Sequence, residues 1–517
     1  MKHRMKQAAF GAVAALAVGT MMSAAPAVAQ DNNTLRVGMY SKTPARGNPY
    51  GGGGVPSIYW WDPLFDGLTR VNKEGQVVPW LAESWKLVDN TTWHFKLKPN
   101  LEFSNGAKID ADAVVGSFAW ALSDEGRATS GGRELREIDR VTKVDNLTVA
   151  IITKAPAPLT PGTLQRAYIL EPKHLKDVGI PGYTANPVTS GGYKMVRWTD
   201  NDAEFTVFDK SWRAGKIRTL RFVELPEAAS RLQAIISKQI DLAVTVAPDD
   251  IKQVRDAGQV VHVFSSPNVM NFAMFTKDFK NRWGAKGTPF ADKRVRMAAN
   301  LAIDRKGIVD GLLGGVTSPA NQPANPSTFG YNAALPPYKY DPVAAKKLLA
   351  DAGYPNGFKM IAEFIPGAIP RDIEIYSYMA ESLGKIGIQA EVRQIPFPDW
   401  LKKYLGGVWD GDGSGFSAFV DPHMDASRPF SNFSCLVPNA IVCIDSHMPL
   451  INAAATEMDT KKREKILQEL MAAAHNDAMT MPILLGVDIY AATPRLKNFE
   501  YWNRVLLWER MTLEGQG

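Results

Sequence analysis

Three short stretches of this 517-residue chain place chemically capable side chains close together. Asp421, His423 and Asp425 alternate, so an extended strand would turn all three to one face, and Cys443, Asp445 and His447 repeat the spacing. Either trio offers metal-ligand atoms, but a structural site asks for four and neither stretch supplies them. They read as a polar loop and a disulfide-linked loop, with no metal expected. Asp410 and Asp412 have the spacing of paired carboxylates for acid/base work, yet no nucleophile or leaving-group pocket accompanies them, and they read as solvated turn residues. The signatures GxSxG, HExxH, GxGxxG and the phosphate-binding GxxxxGK motif do not occur, and none of the seven histidines forms a helical metal pair. No catalytic residue and no cofactor is expected.

The remaining residues suit binding. Tyr59, Trp60, Trp61, Trp400, Trp409, Phe416 and Phe419 lie in or beside glycine-rich crossings. Aromatics on loops above a rigid sheet can stack on a ligand, and can equally fill a core. Four consecutive glycines, Gly51 to Gly54, either let the backbone approach a ligand closely or make a flexible turn.

The elements that would position these residues follow from periodicity. Leu35, Val37 and Met39 alternate along a first strand, TLRVGMY. Residues 66–185 read as an α+β unit. In it Trp93, Phe95 and Leu97 share a strand face, Asp110 caps a helix with Val114, Val115, Phe118 and Leu122 on its buried side, and a hairpin turns at Asp145-Asn146. Next come two strands joined by the turn Thr199 to Asp202, and then a strand, helix and strand ending in IDLAV, which suggests a crossover in a mixed sheet. In PFADKRVRMAANLAIDRKGIVDGLLGG, Asp292 caps one helix and Asp304 a second, Ile303 and Ile308 form a hydrophobic staple, and Gly314 and Gly315 stop the run. Asp341-Pro342 starts another helix. FKMIAEFI, a helix near Ile373 to Ile386 and IQAEVRQI make a second α/β unit, before a late helix through Ile466, Leu467, Leu470 and Met471 leads to MPILLGVDIYAA.

Composition bounds the setting. Residues 1–29 show a basic start, an apolar run and a small-residue site at Ala27-Val28-Ala29, the pattern of a secretory signal cleaved before Gln30. The core of this run is short for a membrane span. Without Lys2, Arg4 and Lys6, the remaining basic residues exceed the 53 acidic ones by three, too balanced to argue for nucleic acid or anionic lipid. The two cysteines, Cys435 and Cys443, are read in an exported chain as a disulfide closing a short loop, contributing roughly 2 to 3 kcal/mol; two free thiols are the alternative.

The stretch from Pro289 to Gly315, with its SPANQPANPSTFGY continuation, closely resembles the central signature of the extracytoplasmic solute-binding proteins of ABC importers, in the family that binds peptides, nickel and opines. PWLAESWKLVDNTTWHFKLKPNLEFSNGAKIDADAVVGSF, VTSGGYK, RLQAIISKQIDLAV, YDPVAAKKLLADAGY and KIGIQAEV extend the resemblance over essentially the whole chain after the signal. It implies an α/β, two-lobed, type II-like periplasmic binding fold with mixed sheets. Lobe I would take residues 30–65, 186–275 and 487–517, with an α+β subdomain at 66–185, and lobe II residues 276–486. A monomer in the periplasm would close over a small solute, a peptide or peptide-like one first, and dock on the permease. An opine, a sugar conjugate or a metal chelate are the alternatives, and a hydrolase or folding helper the rivals of another class.

The ligand-binding set is then Gly53, Gly54, Ser57, Tyr59, Asn271, Arg371, Trp400, Trp409, Phe416, Phe419 and Asp421, with Trp400 and Phe416 where relatives place aromatic walls. One departure stands out. Peptide binders of this family carry an Asp for the ligand's ammonium shortly after the aromatic matched by Phe416; here Ala418 or Phe419 takes that place and Asp421 is the nearby carboxylate.

Overall fold

The computed structural model describes residues 33–43, 45–52, 55–366, 369–420 and 423–515. The signal stretch, Gly53, Gly54 and Asp421 lie outside the described residues.

The capped helices form as the sequence dictates. Asp110 accepts from the backbone N–H of Ala113, Asp292 from that of Arg294, Asp304 from that of Gly307 and Asp341 from that of Ala344. Each satisfies a first-turn donor that has no partner within the helix. Ile303 and Ile308 are both fully buried, and Gly314 ends its helix in the left-handed conformation.

Of these, Lys293–Leu301 and Arg305–Leu313 lie against one ten-stranded mixed sheet. Across it run 388–394, 358–364, 413–419, 260–274, 481–492, 242–244, 34–39, 219–224, 202–207 and 193–198. The strand 219–224, helix Ala228–Ile236 and strand 242–244 make the expected crossover, with 34–39 paired in parallel between the two strands. Phe358–Phe364, Asp372–Lys385 and Ile388–Gln394 make the second such unit, again with parallel strands. A separate antiparallel sheet of 82–89, 92–97, 148–153 and 138–143 carries helix Ala111–Ala121.

The sheet has two halves. Val260–Met274 and Met481–Ala492 are long enough to take part in both, and they pair antiparallel along most of their length. The pattern VVHVFSSPNVMNFAM conceals the first of them, because it does not alternate and Pro267 interrupts it. Proline cannot donate to the ladder, so the register shifts here, between Ser265 and Val269. Opposite the shift sits Gly486, where an added Cβ would come within 2.8 Å of the Asn268 carbonyl oxygen. The two halves have separate apolar cores. One gathers Leu35, Phe222, Phe95 and Trp508; the other gathers Met270, Ile303, Met360 and Ile388, beside a third cluster around Trp409, Phe416 and Leu470.

Candidate functional site

The halves meet on either side of the shifted register. Arg371, held in the left-handed conformation at the start of Asp372–Lys385, reaches across to Asp249 at 2.9 Å and also contacts Glu374. Arg428 pairs with Glu134 at 2.9 Å, and His423 Nε2 lies 2.8 Å from the Thr163 hydroxyl. The hairpin joining 69–71 to 77–79 sets its tip against the other half. A Cβ on Gly75, whose φ is +78°, would stand 2.0 Å from the Ser327 carbonyl oxygen, so only glycine fits there.

The spanning strands build two unlike surfaces. On the side of the first half, Asp488 accepts two hydrogen bonds from Arg504, at 2.9 and 3.1 Å, and a third from the Tyr501 hydroxyl at 2.7 Å. Asn268, its amide oriented by its neighbours, accepts from Arg504 Nη1 at 2.8 Å. Burial works against the Arg504 charge, but Asp488 more than compensates and the guanidinium is held more firmly protonated than usual. The Tyr59 and Tyr490 hydroxyls lie 2.5 Å apart, both buried, and burial pushes both phenols well above their ordinary range. Nearby Tyr40 is pushed up to about 12, mainly by burial.

On the other side the surface is aromatic. Asn271 pairs directly with Phe416, and directly opposed residues of an antiparallel ladder share a face. Phe416 packs on Phe433 with ring centroids 4.1 Å apart. Two residue pairs along, Ala273 faces Ser414, whose hydroxyl accepts from Trp400 Nε1 at 3.0 Å. Trp400 is the buried residue of helix Phe397–Gly406 and stacks on Tyr404. Lys403 ties that helix down through Glu363 at 2.6 Å and Asp410 at 2.9 Å. Two hydrogen-bonding lysines, Lys280 and Lys403, hold Asp410 down to about 2.

The expected site residues separate here. Asn271, Trp400 and Phe416 share the aromatic surface, and Tyr59 belongs to the polar one. Ser57 is buried at helix Val55–Trp61, and Arg371 forms the ion pair between the halves. Trp409 is fully buried beneath Phe275 and Trp400, a position for packing. Phe419 is in strand Gly413–Phe419, paired with Asn268.

Several expectations need correction. Tyr59 to Trp61 and Trp400 sit on helices, because VPSIYWW and FPDWLKKYLG each begin with a proline in the first turn, where its missing N–H costs nothing. Asp412 is no solvated turn residue. Its buried carboxylate accepts from Arg282 at 2.5 Å, from Trp283 Nε1 at 3.0 Å and from the Ile361 N–H at 2.8 Å. In the other two stretches, Asp425 is engaged by Arg463 at 2.5 and 3.0 Å, while His423 turns to Thr163. Cys435 and Cys443 are bonded as the sequence reading favours, and His447 lies 2.9 Å from Asp477. Asp488, Arg504 and Asn268 were missed. The signal available was a lone Asp in the apolar run MPILLGVDIYAA and an Arg in a tail rich in tryptophan.

Two halves crossed by paired strands, with facing surfaces between them, define a two-lobed binding protein. A published structure of an ABC transporter substrate-binding protein from Listeria monocytogenes has this fold, with a TM-score of 0.82 at 20% identity over 94% of this chain and 100% of that one. The chain belongs to the bacterial extracellular solute-binding proteins, family 5, whose model matches residues 76–434. Among named relatives, heme-binding protein A of Haemophilus influenzae is 24% identical over 463 residues, covering 82% of this chain and 81% of that protein. The dipeptide-binding protein of Escherichia coli K12 is 26% identical over 461 residues, 81% of this chain and 83% of that protein. No described helix is long and apolar enough to cross a membrane.

Proposed function

We propose that this protein captures a peptide or peptide-like solute between its lobes and delivers it to the permease of an ABC importer, without covalent chemistry. The observation that carries this is the construction of the sheet: two spanning strands with a shifted register, and facing surfaces joined by contacts such as Arg371 to Asp249. Hinged closure around a ligand needs little more than a few residues that absorb backbone change, and Ser265 to Val269 opposite Gly486 supplies them. We assign lobe I to residues 30–65, 186–275 and 487–517, its subdomain to 66–185, and lobe II to 276–486. Export by the signal of residues 1–29, a periplasmic location and a monomeric state complete the reading.

A non-peptide solute is the second reading. The wall of Asn271, Ser414, Phe416 and Trp400 carries no charge, which suits an opine or a sugar conjugate as well as the middle of a peptide.

Thermal unfolding of the chain from Gln30 onward, against di- to pentapeptides, opines, sugars and divalent metals, tests both. A solute at a hundred times its dissociation constant adds about 2.7 kcal/mol of stability. Stabilisation by peptides supports the first reading; stabilisation by an opine or sugar alone replaces it with the second.

A further inference from the structure

Among the described residues, the buried asparagines Asn268, Asn300 and Asn325 have partners for their side-chain amides, and Asn271 does not. Asn300 donates to the Arg296 and Thr480 carbonyls and accepts from Arg305; Asn325 donates to the Ser266 carbonyl and accepts from Ser327 and Thr328; Asn268 accepts from Arg504. Asn271 is 0% exposed, and neither its Nδ2 nor its Oδ1 has a partner. A buried amide left without hydrogen bonds is destabilising, and both its donor and its acceptor are open. Its backbone, by contrast, is held in the ladder, and its carbonyl accepts from the Tyr376 hydroxyl at 3.1 Å. The side chain is therefore fixed in place beside Phe416 with its polar atoms unused.

We propose that Asn271 is the residue that reads the solute, taking an uncharged N–H and C=O that lie side by side, those of one extended peptide residue or of a carboxamide, from a ligand laid along the Phe416 and Trp400 wall. An amide complements an amide: Oδ1 accepts from the ligand N–H while Nδ2 donates to the ligand carbonyl. A bare ammonium or carboxylate would match only one of the two atoms. The solute thus presents the N–H and C=O of one extended internal residue, or a carboxamide, at this point, with its charged ends elsewhere. This rests on the capture reading above and specifies its ligand.

The test compares the wild type with Asn271→Leu and Asn271→Asp. Probes are tripeptides with free termini, the same tripeptides acetylated and amidated, and opines and sugar conjugates. Leucine removes the open polar atoms at similar size, so ligand-free Asn271→Leu should melt no lower than the wild type. Peptides that stabilise the wild type should bind Asn271→Leu at least about tenfold more weakly, and blocking their termini should leave Asn271-dependent binding in place. Asn271→Asp, which keeps the acceptor and loses the donor, should also weaken them. Peptide binding unchanged in Asn271→Leu overturns the assignment while leaving peptide capture intact. A lower melting temperature for ligand-free Asn271→Leu shows the amide to be structural and overturns it too. Stabilisation of the wild type by no peptide overturns the peptide reading and this assignment together.

Discussion

Asn268 and Asn271 are three residues apart on one strand and both are buried, yet they do opposite things. Asn268 closes a network in which Asp488, Arg504 and Tyr501 use one another's hydrogen-bonding capacity. Asn271 stands against aromatic rings with nothing to bond. The difference separates holding from reading. A satisfied polar network fixes the strand crossing in one geometry, while an unsatisfied group stores a capacity that only an incoming molecule can use.

The largest effects should come from breaking the satisfied side. Arg504→Met leaves the half-buried Asp488 without its charge partner and should cost about 3 kcal/mol in denaturant unfolding. A loss below 1 kcal/mol would show that the network is incidental. Arg463→Met should cost a similar amount in lobe II, where Asp425 depends on it in the same way. Burial pushes the Asp425 carboxyl up, but the Arg463 charge and hydrogen bonds, with help from Ser427, hold it below the ordinary range. The native state therefore binds this proton less tightly than the unfolded chain. Its stabilisation is complete above the unfolded value, near pH 3.9, and is lost as pH falls through the lower folded value. Unfolding measured from pH 6 downward should show that acid loss in the wild type and a smaller one in Asp425→Asn.

Next in size is the disulfide. Replacing Cys435 and Cys443 together by serine should cost about 2 to 3 kcal/mol. The loop they close also braces the aromatic wall, because Asn439 donates to the Leu405 carbonyl at 2.9 Å in the last turn of the helix that carries Trp400. Ligand affinity should therefore fall along with stability; an unchanged affinity would show that the wall needs no brace. The smallest effect should follow Arg371→Gln. Its ion pair with Asp249 is partly exposed and should add less than about 1 kcal/mol to global stability, while ligand-free molecules shift toward an open form.

Local signals made most of the fold legible. Caps at Asp110, Asp292, Asp304 and Asp341, and the alternation of Leu35, Val37 and Met39 in TLRVGMY, are set by neighbouring residues, and the structure keeps them. The strand 260–274 was not legible, since Pro267 and two serines imitate a loop where the register shifts. The proposed site was less legible. Aromatic type singled out Trp400, Trp409 and Phe416, which share one buried cluster, and whether such a ring meets a ligand or only fills a core depends on partners far along the chain. The pairing of Asp488 with Arg504 joins a strand to the tail, and no spacing rule could announce it.

Closure itself is most directly measured by small-angle X-ray scattering of the chain from Gln30 onward, with and without a saturating solute found by thermal shift. Capture between the lobes predicts a smaller radius of gyration in the bound state, with Arg371→Gln more extended than the wild type before solute is added. An identical radius of gyration with and without bound solute would contradict it.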